Sequence, residues 1–91
     1  MTWDREALLA EVRARIERGL APLRLELRDE SERHRGHPGH GGGAHLALEV
    51  VSERFRGLAP LARHRLVHAL LADLLPGAIH ALALRARAPE E

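Results

Sequence analysis

Cysteine is absent from the 91 residues, so the chain forms no disulfide and builds no thiolate metal site from its own side chains. Aromatic residues are nearly absent as well, with one Phe, one Trp and no Tyr. That leaves no row of ring faces on which unpaired bases could stack, which argues against single-strand binding of the RRM or OB-fold kind. Lysine is missing. All 14 basic residues are Arg, set against 13 acids for a net charge of +1. The alkaline isoelectric point therefore reflects near-balance rather than a cationic surface. No apolar run approaches the roughly 20 residues that span a bilayer. The first segment is amphipathic and contains Arg, but Asp4, Glu6, Glu11 and Glu17 interrupt it, unlike an acid-poor transit peptide. A cytoplasmic protein without membrane association is expected.

What is present is an apolar fraction of 45%, carried by Leu, Ala and Val, enough for one small globular domain. Leu8, Leu9, Val12, Ile16 and Leu20 recur at helical spacing and predict a helix over Asp4–Leu20, capped by Thr2 or Asp4 and ended by Gly19 and Pro22. Leu23, Leu25 and Leu27 alternate with Arg24, Glu26 and Arg28, the period of a half-buried strand. A polar, Gly-rich loop follows over Asp29–Ala44, carrying His34, His37 and His40. His45–Val51 predicts a second strand with Leu46, Leu48 and Val50 inward, and a short helical turn is expected near Ser52–Phe55. Pro60 suits a helix's first turn, and Val67, Leu70, Leu71 and Leu74 give that helix its apolar stripe until Pro76-Gly77. Ile79–Arg87 is the third strand, and the last residues, 89–91, are expected to be a flexible tail after a single domain over 1–88.

The order α-β-β-α-β predicts an α+β fold, with a three-stranded mixed sheet and both helices on one face. The loop-joined strands pair antiparallel, and the helix-joined strands pair parallel through a right-handed crossover. The start of the third strand then lies at the sheet end that holds the His/Gly loop. His80 can thus share one rim with His34, His37, His40 and His45.

Val50–Arg87 reads VVSERFRGLAPLARHRLVHALLADLLPGAIHALALRAR: a strand end, an F-x-G turn, a helix opened by R-H-R, and a strand starting at Ile-His. With LELRDESERH upstream, this order resembles the BolA family over about three quarters of the chain, a family of type II KH-like fold. The resemblance implies a non-enzymatic adaptor in iron–sulfur trafficking or iron sensing. It binds a monothiol glutaredoxin and co-ligates a bridging [2Fe–2S] cluster through the His that opens the last strand and a His or Cys of the first hairpin loop. The first matches His80 within Ala78-Ile79-His80-Ala81-Leu82; the second matches His34, which follows Asp29-Glu30-Ser31, with His37 and His40 as rivals. Two imidazoles can satisfy one iron. The other iron wants thiolates, which a chain without Cys must take from its partner and glutathione. The isolated chain is therefore expected to hold no stable cluster, to be a monomer or weak homodimer, and to lose cluster binding as pH falls toward roughly 6. The resemblance further implies that His64 of the R-H-R segment orients the turn below Phe55.

The residues themselves leave other readings open. His80 shares strand parity with Leu82 and Leu84, which would make it a buried, hydrogen-bonded histidine at the core's rim. His45 reads as a structural residue at the strand's start. His64 and His68 stand four apart on a helix but lack a third ligand at zinc-motif spacing. Arg54, Arg56, Arg63, His64 and Arg65 could present cations to DNA phosphates, and the family resemblance implies for that reading a transcriptional regulator of morphology and stress genes. Gly57-Leu58-Ala59-Pro60 replaces the second Gly of a KH G-x-x-G loop and removes a backbone donor, against RNA clamping of that type. No nucleophile–base spacing points to an enzyme. Asp29 or Glu30 with His34 offers only the acid/base pairing that any acidic loop would.

Overall fold

The first helix starts where Asp4 accepts a hydrogen bond from the Glu6 N–H, satisfying one donor of the opening turn. The computed structural model describes residues 3–31 and 43–91. In order these form α1 (Arg5–Leu20), β1 (Arg24–Asp29), β2 (Ala44–Val51), a 3₁₀ turn (Glu53–Phe55), α2 (Pro60–Leu70), a second 3₁₀ turn (Ala72–Leu74) and β3 (Ile79–Arg87). The sheet order is β1-β2-β3, with β1 antiparallel and β3 parallel to the central strand. The expected α+β architecture is therefore the observed one.

Alternation on β2 divides the two faces of the sheet. Ala44, Leu46, Leu48 and Val50 are buried beneath the helices, packed with Leu8, Val12, Ile16 and Leu20 of α1 and Val67 of α2. His45, Ala47, Glu49 and Val51 turn the other way. Phe55 is wholly buried in the same core. It is held there by the turn at Gly57, whose φ of 82° is a conformation that favours glycine.

Several local details differ from the sequence reading. α1 runs through Gly19 to Leu20 and ends on Ala21 in the left-handed region, whose N–H bonds the Glu17 carbonyl. Leu23 lies before β1 and is 67% exposed, so Leu25 and Leu27 alone supply that strand's inward side. α2 ends at Leu70, and its stripe continues through Leu71 and Leu74 in a tighter 3₁₀ turn. Arg15 bridges α1 to that break, donating to the Leu70 carbonyl and to Asp73.

Ser52 is a tie point that periodicity does not reveal. It is 0% exposed, its hydroxyl donates to the Leu20 carbonyl at 2.6 Å and accepts from the Arg54 N–H, and its own N–H donates to the Arg87 carbonyl. It thereby joins the ends of α1, β2 and β3. Ser52→Ala leaves the Leu20 carbonyl without this partner and is expected to cost about 1–3 kcal/mol. The check is the midpoint of urea unfolding; an unchanged midpoint would mean that water replaces the hydroxyl.

Candidate functional site

The start of β3 is shaped by one extra residue. Ala44 pairs with Ile79, but His45 pairs with Ala81, so His80 is left over as the register shifts. The shift reverses the expected parity. Ile79 is buried and Leu82, Leu84 and Ala86 pack against the core, whereas His80 is exposed. The extra residue is therefore what turns the imidazole out of the core, as bulges do elsewhere. His80 is not a buried rim histidine.

Close backbone packing surrounds this point. A methyl group placed on Gly43 would collide with the Gly77 carbonyl oxygen and stand 2.9 Å from the His80 Cβ. The Ala44 N–H donates to the Ala78 carbonyl at 2.9 Å, closing the two strands at their common start. Across this rim the His45 and His80 rings approach to 5.0 Å between centroids, tilted by 47°. Topology thus places two imidazoles 35 positions apart in sequence side by side. His34, His37 and His40 lie outside the described residues.

The neighbouring end of β1 supports His45. The Ser31 hydroxyl accepts the His45 N–H at 3.0 Å and donates to Asp29 at 2.5 Å, while Arg5 reaches both Ser31 and Asp29 at 2.8 Å. Partial burial works to raise the Asp29 carboxyl, but the hydrogen bonds from Ser31 and Arg5 prevail and hold it below its ordinary value. A carboxylate committed in this way is a weak general base near neutrality. Sequence reasoning placed His45 on the same rim as His80 but read it as a structural residue only, and it missed the role of Ser31. The offset between His45 and His80 depends on strand register, which only pairing defines.

The arginine patch is largely tied to its own fold. Arg63 donates to the Leu58 carbonyl at 2.9 Å, to Ala86 at 3.3 Å, and through both terminal nitrogens to Glu91 at 2.6 and 2.8 Å. It is Arg63, rather than the exposed His64, that reaches the turn beside Phe55. Arg56 pairs with Glu53 at 2.9 Å, and Arg54 donates to the Gly19 carbonyl. Arg65 and His68 are exposed on α2. Among the described residues no group of three His, Cys, Asp or Glu side chains could hold a metal ion, and no helix is long and apolar enough to cross a membrane.

The same contacts reach the last residues of the chain. Ala88 is buried, and Glu91 accepts from both Arg63 and the Ala88 N–H. Chiefly because of Arg63, the Glu91 carboxyl is pulled from about 4.5 down to about 2. A depressed carboxylate stabilises the fold above its unfolded value and loses that contribution as pH falls through its folded one. Glu91→Gln is therefore expected to lower the melting temperature at pH 7, with the two proteins converging as pH approaches about 2. A constant difference across that range would mean that the ion pair contributes nothing.

Comparison with known proteins decides the family. The model for BolA-like protein matches residues 16–91. The chain belongs to the BolA-like family. It is 51% identical over 82 residues to human BolA-like protein 1, an alignment covering 90% of this chain and 58% of that relative. The chain thus spans less than two thirds of the length of the first curated relatives it matches. A relative from Vibrio cholerae named DNA-binding transcriptional regulator BolA is 46% identical over 70 residues, covering 77% of this chain and 64% of its own length. Among solved structures, the BolA domain of SufE1 from Arabidopsis thaliana superposes with a TM-score of 0.78 at 39% identity, covering 88% of this chain and 90% of that one. The BolA fold therefore accounts for the two helices and mixed sheet described above.

Proposed function

We propose that this BolA-like chain is a non-enzymatic adaptor that binds a monothiol glutaredoxin and lends imidazoles to a [2Fe–2S] cluster shared with it, in iron–sulfur trafficking or iron sensing. The observation that carries this reading is the rim itself: His80, turned outward by the register shift, stands 5.0 Å from His45 at an accessible end of the sheet. The donor set fits half a cluster. Imidazole is an accepted ligand at one iron of a [2Fe–2S] centre, and the thiolates for the other must come from outside a chain that has none. His80 is the first ligand in this proposal. The second imidazole is His34, which the family resemblance favours, or His45, which the fold already sets beside His80.

The chain's own contribution is positional. Gly43 and Gly77 pack too closely for a side chain on Gly43, and the Ser31 hydroxyl accepts the His45 N–H, so close backbone contacts flank the His45–His80 pair. Mixing the chain anaerobically with a monothiol glutaredoxin, glutathione, iron and sulfide tests the reading. The visible circular dichroism of the glutaredoxin cluster should change on adding one equivalent of this chain. An unchanged spectrum would reject shared ligation.

A second reading is DNA binding, favoured by the name of the Vibrio cholerae relative and by the exposed Arg65 in the middle of α2. Its weakness is that Arg63, Arg56 and Arg54 are engaged within the molecule. A regulator would lose DNA affinity steeply with added salt. The adaptor reading expects only shallow, weak binding that Arg65→Ala scarcely alters.

A further inference from the structure

We infer that β1 is a homodimerisation edge, pairing antiparallel with β1 of a second copy of this chain about a two-fold axis at Leu27. Among the described residues the strand is the last in the sheet on its side, opposite the β3 edge that carries His80. Glu30 donates its N–H to the His45 carbonyl, so even-numbered residues of β1 turn their backbone groups toward β2. The backbone groups of Leu25, Leu27 and Asp29 then point away from the sheet, as the alternation of an antiparallel ladder requires.

Charge selects the occupant. Arg24, Glu26 and Arg28 are exposed on the open face, and the sign alternation continues to Glu30. With the axis at Leu27, Glu26 of each copy faces Arg28 of the other, twice, and Arg24 aligns with Glu30. The same register sets Leu27 opposite Leu27 as a hydrogen-bonded pair, which the outward-pointing backbone groups allow. A slip that moves the axis to residue 26 or 28 sets Glu26 against Glu26 or Arg28 against Arg28, and like charges directly opposite are destabilising. Moving the axis to residue 25 or 29 restores opposite signs but shortens the overlap. The strand is thus self-complementary in one full-length register, whereas an edge protected merely by charge has no need of such a pattern. The exposed Leu23 lies just beyond this overlap and would lose surface to the second copy. The resulting six-stranded sheet leaves both His80 rims free, so the inference does not depend on the cluster reading.

Sedimentation equilibrium of the full chain, from micromolar to near-millimolar concentration, tests it. The chain should show reversible dimerisation that weakens with salt. Glu26→Arg should weaken the dimer by at least about tenfold, because two attractive pairs become repulsive. The double variant Glu26→Arg with Arg28→Glu should restore it, since opposite signs again face each other across the axis. Both positions are exposed, and far-ultraviolet circular dichroism confirms that the variants fold. A chain that stays monomeric throughout, a dimer indifferent to Glu26→Arg, or a double variant that fails to recover would each overturn the proposal.

Discussion

Phe55→Ala is expected to remove about 3–5 kcal/mol of stability, the usual cost of truncating a buried aromatic side chain to alanine. Phe55 is fully buried, the chain has no other Phe, and it belongs to the same core cluster as the buried residues of α1, α2 and β2. No second aromatic ring is buried nearby to share the loss, since Trp3 lies partly exposed before α1. A domain of this size has about 5–15 kcal/mol in total. The variant should therefore unfold at much lower urea concentration, with part of the population open even without denaturant. A midpoint shift equivalent to less than about 1 kcal/mol would mean that the core closes around the gap. The turn that presents Phe55 would then be less central to the fold than its burial implies.

Much of the architecture was legible because two periodicities separate cleanly. The stripe Leu8, Val12, Ile16 and Leu20 marks a helix, and Leu25 and Leu27 among charges mark a strand; both lie where the pattern places them. The F-x-G turn, the R-H-R helix start and the Ile-His strand start carried the family as well. What stayed hidden depends on contacts between distant elements. The outward turn of His80 follows from a one-residue offset between β2 and β3, and simple alternation from Leu82 and Leu84 predicts the opposite face. Arg63 reads as a surface cation until Leu58, Ala86 and Glu91 are seen to surround it. Ser52 has no signature as a lone polar residue after a strand. Its hydroxyl matters because the end of α1 arrives there from 32 positions away.

His80→Ala should have the largest effect on the proposed function while sparing the fold, because its side chain is exposed and lies outside the core. Loss of a residue that merely supports a metal ligand already costs about 10–100-fold in metal affinity, and removal of a ligand itself is expected to do no less. The variant should retain its unfolding midpoint yet leave the glutaredoxin spectrum unchanged when mixed under reconstitution conditions. His45→Ala and His34→Ala, made in the same way, separate the two sources of a second imidazole: the one that reproduces the His80→Ala spectrum is the other ligand. If His80→Ala forms the mixed cluster as fully as the unaltered chain, the rim imidazoles are not ligands. The two histidines would then meet only as neighbours on adjacent strands.

Pulsed electron paramagnetic resonance of the reduced mixed cluster, with only this chain's histidine nitrogens isotopically labelled, addresses iron ligation directly. The account predicts strong hyperfine coupling from the labelled imidazoles, absent when His80→Ala replaces the unaltered chain. A reduced cluster that shows no coupling to labelled nitrogen would contradict it.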